Sequence, residues 1–255
     1  MALKLMYITN QPEVARIAEA TGVEYIFVDM EYIGKADRQG GMDTVQSHHT
    51  IEDIVTIKGA LSTSKVLVRV NPIHEATTEY SNSADEIDAA IEAGADMLML
   101  PYFKTVEEVS AFIKMVDGRT KTLLLFETPE SVAAVDDILL IPGIDEVFIG
   151  LNDLSLGYGR KFMYELLADG TVERLCTKFK QKGIPYGFGG IAAIGNGLLP
   201  AEKIIKEHYR LDSTRVILSR TFCDTSKVAN MDSVYSVFSK GLSEIRALEV
   251  ECEQK

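Results

Sequence analysis

Glu127 directly follows Leu123-Leu124-Leu125-Phe126. A carboxylate after four apolar residues is costly to bury unless it is paired or holds a metal. Asp153 follows a similar run, Phe148-Ile149-Gly150-Leu151-Asn152. If those runs are neighbouring strands, both carboxylates reach one point. Oxygen ligands with no Cys or His nearby suit Mg²⁺ or Mn²⁺. A structural reading stays open beside this one: Glu127 pairs with Arg69, and Asp153 caps a helix beginning at Leu154. Arg69 sits in Val66-Leu67-Val68-Arg69-Val70-Asn71, so its guanidinium needs an anion, either a substrate oxygen or a structural partner.

Of the four histidines, His49 is the candidate general base, because its ordinary pKa lies near neutrality. His48 is able to exchange roles with it. His74 is a weaker candidate, and His208 is expected at a helix surface. No lysine closes a strand: Lys65 and Lys121 precede theirs, and Lys104 begins a helix. Imine chemistry needs a pocket lysine, so carbonyl chemistry here would use a metal as electron sink. Gly187-Phe188-Gly189-Gly190-Ile191-Ala192 matches a dinucleotide-binding spacing. It falls late in the chain with no helix opening after it, so its glycines are read as room for close approach.

These residues need a scaffold that brings strand ends together. Short apolar runs recur at Leu5–Thr9, Tyr25–Asp29, Val66–Val70, Met97–Leu100, Thr122–Glu127, Glu146–Gly150, Pro185–Gly189 and Arg215–Ser219. Between them lie amphipathic stretches at Glu13–Ala20, Ile51–Leu61, Ser83–Ala93, Val106–Val116, Ser131–Leu140, Tyr164–Lys182 and Ala201–His208, with a helical tail from Met231 to about Glu251. Thr50 and Thr105 are N-cap candidates, and Gly22, Gly94, Gly118 and Gly183 mark helix ends. Eight strand–helix units in 255 residues predict a single-domain α/β fold, a (β/α)8 TIM barrel spanning 1–255, in preference to an open doubly wound sheet. The polar stretch 32–48 is longer than an ordinary connection and, following strand 2, belongs on the catalytic face.

Net charge −12 argues against nucleic-acid binding, and 46% hydrophobic residues is ordinary for a globular chain. The three cysteines, Cys176, Cys223 and Cys252, form no CxxC pair, which fits a reducing cytoplasm. Met1–Thr9 is too short an apolar stretch for a signal peptide, and no run is long enough to span a bilayer.

Several segments resemble the HpcH/HpaI aldolase and citrate lyase beta family over about residues 5 to 222. They are Phe27-Val28-Asp29-Met30-Glu31, Val68-Arg69-Val70-Asn71, Ala93-Gly94-Ala95-Asp96-Met97-Leu98-Met99-Leu100-Pro101, Phe126-Glu127-Thr128-Pro129-Glu130-Ser131-Val132 and Gly143-Ile144-Asp145-Glu146-Val147-Phe148-Ile149-Gly150-Leu151-Asn152-Asp153-Leu154-Ser155. The resemblance implies a pyruvate-type barrel in which Glu127 and Asp153 bind the metal and Arg69 binds pyruvate and stabilises its enolate; Asn152 and Asp153 are read as further substrate contacts. The family's base follows the Asp-x-Glu of strand 2 directly; here Tyr32 stands there. His49-Thr50-Ile51-Glu52-Asp53-Ile54 resembles the segment that starts at that base, so 32–48 reads as an insertion. Leu125 replaces a customary glutamine, and the family's long loop before strand 5 shrinks to Asp117-Gly118-Arg119-Thr120-Lys121.

The expected activity is a divalent-metal-dependent aldolase-like lyase working beside pyruvate or a related 2-oxo acid, with an aldehyde partner. His49 takes the hydroxyl proton, and Lys35, Arg38, Arg160 and Lys161 are available to the acceptor. The alternatives are a citrate-lyase-like acyl-CoA lyase or thioesterase, for which only Lys203 and Lys206 approach a basic cluster, and a non-catalytic metal- or ligand-binding barrel. Val234, Val237, Phe238, Leu242, Ile245 and Leu248 make a stripe on the tail that must be buried. The resemblance implies exchange of that helix between subunits and a homohexamer.

Overall fold

The computed structural model describes residues 2–35 and 47–254. Eight strands, β1 (Lys4–Ile8), β2 (Tyr25–Asp29), β3 (Lys65–Arg69), β4 (Met97–Leu100), β5 (Lys121–Phe126), β6 (Glu146–Ile149), β7 (Tyr186–Ile191) and β8 (Arg215–Leu218), close into a parallel barrel in chain order. The TIM barrel expected from the alternation is the fold observed.

Alternate residues of each strand face inward. Met6, Tyr25, Phe27, Leu67, Met97, Met99, Leu123, Leu125 and Phe148 form a central cluster of their own. The other strand faces pack under the helices in a second, larger cluster. Burial on both faces is why these strands read as continuous apolar runs rather than as alternating ones. At the N-terminal end of the barrel Arg215 grips Glu146, Nε to Oε2 at 2.6 Å and Nη2 to Oε1 at 2.7 Å.

The helices are α1 (Pro12–Ala20), α2 (Ile51–Ala60), α3 (Ser83–Glu92), α4 (Val106–Val116), α5 (Pro129–Ala133), α6 (Val135–Ile138), α7 (Leu151–Gly157), α8 (Glu165–Ala168), α9 (Thr171–Gln181), α10 (Ala201–Arg210) and α11 (Met231–Glu253). Thr50 and Thr105 cap α2 and α4 with reciprocal bonds from Asp53 and Glu108. The structure corrects two expected helices. Ser131–Leu140 is two short helices that meet at Ala134. Tyr164–Lys182 breaks at Asp169-Gly170, where Gly170 has φ +79°, a left-handed backbone that glycine adopts without a Cβ penalty.

The tail stripe is buried as expected, with Val237 and Leu248 at its half-buried margin. In this single chain α11 lies on its own barrel, against α1 and α10. The Phe238 ring meets Tyr7 edge-on at 4.8 Å, and Glu249 Oε1 accepts the Leu3 N–H at 2.6 Å. Exchange between subunits would require these same contacts to be made across a pair of chains. Among the described residues no helix is long and apolar enough to cross a membrane.

Candidate active site

Strand register builds the site. β2 and β3 pair so that Asp29 lies opposite Arg69. β5 and β6 pair Phe126 with Ile149, which sets Glu127 level with Gly150 one step on. All four positions are at the C-terminal mouth, where barrel strands present their loops.

Arg69 does not pair with Glu127 as the structural reading had it. Its Nε donates to Asp29 Oδ1 at 2.8 Å and its Nη2 to Asp29 Oδ2 at 2.7 Å, while Glu31 Oε2 lies 3.4 Å from Nε. The guanidinium carbon stands 5.4 Å from the centre of the Phe27 ring. One edge of the planar fork is thereby fixed, and among the described residues the Nη1 edge remains as a donor pair.

A second cation joins this group. Lys35 is buried, with Nζ 2.8 Å from Asp29 Oδ2 and 3.4 Å from Glu31 Oε2. The absence of a pocket lysine inferred from strand ends is thus corrected: the lysine arrives from the loop after β2. Its spacing of four residues from Glu31 was the available signal. Burial alone would raise the Asp29 carboxyl, but Arg69 and then Lys35 outweigh it and hold the group well below the usual carboxylate range. Lys35 is also withdrawn from any role on an acceptor. Arg160 is engaged by Asp169 at 2.8 Å, Lys161 is exposed, and Arg38 lies outside the described residues. The 36–46 part of the expected insertion lies outside them too.

Glu127 is buried, and its Oε1 accepts the Tyr102 N–H at 3.0 Å. Burial first, then Glu31 and Asp153, push its carboxyl well above the ordinary range. Glu127 and Asp153 therefore do come within electrostatic reach of each other. A Cβ on Gly150 would lie 2.6 Å from Glu127 Oε2, so the glycine leaves the room this carboxylate occupies. Asp153 is buried in the first turn of α7, which starts at Leu151 rather than Leu154, and Asn152 Nδ2 donates to Asp153 Oδ1 at 3.2 Å.

The histidines separate clearly. His49 is buried, whereas His48 is exposed and stacks on Tyr32 at 5.7 Å. His49 Nδ1 accepts the backbone N–H of Asp29 at 3.0 Å. Strand β1 has ended at Ile8, so the ring supplies an acceptor that no strand residue provides. His74 braces its loop through Pro72 O and Ser81 O, both at 2.8 Å. His208 is not on a surface: it is fully buried, stacked on Phe188 at 3.9 Å, with Nδ1 2.8 Å from Ser213 Oγ.

A mouth that combines a strand-end arginine, an Asp-x-Glu on β2 and carboxylates closing β5 and following β6 can bind a small oxyanion beside a hard cation. A profile of the HpcH/HpaI aldolase/citrate lyase family matches residues 4–186. The chain belongs to that family. A hydroxypyruvate/pyruvate aldolase from Sagittula stellata is 28% identical over 151 residues, 47% of this chain and 58% of its own length. One from Rhizorhabdus wittichii is 33% identical over 92 residues, 33% of this chain and 37% of its own length. The matched stretches thus span less than two thirds of either relative. An HpcH/HpaI aldolase/citrate lyase family protein of known structure from Burkholderia cenocepacia superposes with TM-score 0.65 at 15% identity, covering 96% of this chain and 95% of its own. That likeness bears on the fold, and the family match on membership of the family.

Proposed function

We propose that this HpcH/HpaI family member cleaves or forms a C–C bond next to pyruvate or a related 2-oxo acid, with a divalent cation and an aldehyde partner. The observation that carries the reading is Arg69, fixed along one edge by Asp29 and with its other edge available at the mouth beside Glu127 and Asp153.

The donor set fits Mg²⁺ or Mn²⁺. Glu127 is buried among other carboxylates, a cost that a cation relieves. Among the described residues no three acidic, His or Cys side chains converge as ligands. Glu127 and Asp153 would therefore be the protein's share, as is usual for Mg²⁺, with water or substrate oxygens completing the shell. When bound, such an ion polarises a keto oxygen as a Lewis acid. Arg69 meets the negative charge that reaches that oxygen when the C–C bond breaks, a contribution of about 3 to 4 kcal/mol for a well-placed donor. Asn152 orients Asp153 and borders the substrate. His49 borders it from the loop that joins β2 to α2, where its Nδ1 accepts the Asp29 N–H. A homohexamer working in the cytoplasm belongs to the same proposal.

The test is exchange of pyruvate C3 protons with solvent in the presence of Mg²⁺ or Mn²⁺, together with Mn²⁺ binding by Glu127→Gln and Asp153→Asn. Exchange by the parent protein and lost binding in both variants are expected. No exchange favours a binding barrel, and undiminished Mn²⁺ binding overturns the ligand assignment.

A further inference from the structure

The N-terminal end of the barrel, away from the mouth, carries charge that the proposed reaction does not use. Lys4, Lys65 and Lys121 are the first residues of β1, β3 and β5. Met6, Leu67 and Leu123, two positions on, belong to the cluster inside the barrel. Side chains alternate along a strand, so the three lysines point to that same inner side. Alternate strands of a barrel share one layer of side chains, and these lysines form the outermost layer at this end. With Tyr25 of β2 they line a cavity of about 630 Å³. All three are exposed, and among the described residues none forms an ion pair. The carboxylates around the cavity are already engaged. Glu19 Oε1 accepts the N–H groups of Ser62, Thr63 and Ser64 at 2.9, 2.6 and 2.8 Å. Glu24 Oε2 accepts the Leu5 N–H at 2.7 Å, and its Oε1 lies 3.5 Å from Arg246 Nη2. Asp96 Oδ2 holds Lys58 Nζ at 2.6 Å and the Val66 N–H at 2.8 Å. Tyr25 is only 6% exposed, and among the described residues its hydroxyl has no hydrogen-bond partner.

We infer that this cavity binds a small anion bearing two or more negative charges, a phosphate ester or a polycarboxylate, at the end of the barrel opposite the active site. Three like charges in one layer repel one another, and the neighbouring acids are turned toward backbone N–H groups and other cations instead of relieving them. A singly charged ion pairs with one ammonium. An ion with two or more charges bridges strands that are not neighbours in the barrel. Lysine meets phosphate and carboxylate oxygens as a point charge, and the Tyr25 O–H supplies a donor from the floor of the cavity. The chain as a whole carries −12 and repels such anions, so the attraction is local to this layer. The site is independent of the reaction proposed at the mouth.

Titration calorimetry of the full chain, freed of metal on a chelating resin and kept at low ionic strength, tests this with inorganic pyrophosphate and tricarballylate as probes. At least one should bind, and its affinity should fall steeply as salt rises and screens the lysines. The double variant Lys65→Gln, Lys121→Gln should bind roughly tenfold more weakly, at a few-fold for each exposed charge. Tyr25→Phe should bind about threefold more weakly, the loss of one hydrogen bond, while its melting temperature without anion stays at the parent value, because no protein group loses a partner. Pyruvate exchange by the double variant should match the parent, since neither lysine reaches the mouth. Binding of pyrophosphate alone identifies a phosphate ester and binding of tricarballylate alone a polycarboxylate, and either supports the site. Binding of neither probe overturns the inference. So does binding undiminished in a folded double variant, or acetate binding as tightly as the better probe.

Discussion

Asp29 binds Arg69 with both carboxylate oxygens, Oδ1 to Nε at 2.8 Å and Oδ2 to Nη2 at 2.7 Å, and turns one edge of the guanidinium away from substrate. Oδ1 also accepts the Glu31 N–H at 3.2 Å, and Oδ2 the Lys35 ammonium at 2.8 Å. Four donors thus meet one buried carboxylate. The pairing selects which nitrogens of Arg69 remain for chemistry, something a lysine at this position could not reproduce because it has no planar fork. Arg69→Lys should therefore lose about 10² or more in pyruvate exchange with little change in melting temperature.

Asp29→Asn should destabilise the fold by about 3 to 5 kcal/mol, the usual cost of removing one partner from a buried ion pair. Its sign with pH is fixed. The native state holds this carboxyl below its ordinary pKa, so its stabilisation is present above about pH 4, the unfolded value, and is lost as pH falls further. Urea denaturation of parent and variant should differ at pH 7, and the difference should narrow below pH 4. Equal stabilities at pH 7 would show that Asp29 has no such role.

Gly150→Ala places a methyl group 2.6 Å from Glu127 Oε2. The carboxylate must move, and Mn²⁺ affinity should weaken by roughly tenfold or more, as displacement of supporting groups commonly does. Titration calorimetry against the parent checks this, with circular dichroism to show an intact fold.

His208 makes the fold sensitive to acid away from the site. Burial pushes its pKa down to about 3, and among the described residues its Nε2 has no partner. The unfolded chain takes up a proton near pH 6.5 that the native chain refuses. Stability from this residue should fall by about 1 kcal/mol per pH unit between pH 6 and 4. In His208→Leu that part of the slope should vanish from denaturation curves measured across the same range.

Phe238→Ala removes a fully buried ring that meets Tyr7 at 4.8 Å and Phe222 at 5.3 Å. The loss should be about 3 to 5 kcal/mol. Sedimentation of the intact chain is expected to show an oligomer, and a chain ending at Asn230 should lose it. A monomeric intact chain, or an assembly unchanged by the truncation, contradicts the role proposed for α11.

The amino-acid sequence by itself determined the strand–helix alternation, the barrel, and the presence of Arg69 and Glu127 at strand ends with Asp153 just beyond one. Those features rest on local rules: apolar runs of strand length, N-cap threonines at positions 50 and 105, and a fixed alternation of side chains across a strand. Tertiary structure decided the partners. Asp29, Glu31 and Glu127 were all available to Arg69, and only the β2–β3 register set Asp29 opposite it. Lys35 had no apolar context to mark it as buried, because it is buried in pairing with Asp29 and Glu31. The bond from the Asp29 N–H to His49 Nδ1 follows from one amide left without a strand acceptor where β1 ends, and the burial of His208 from its stacking on β7. Such pairings depend on which distant backbones close against each other, and that geometry has no signature in local periodicity.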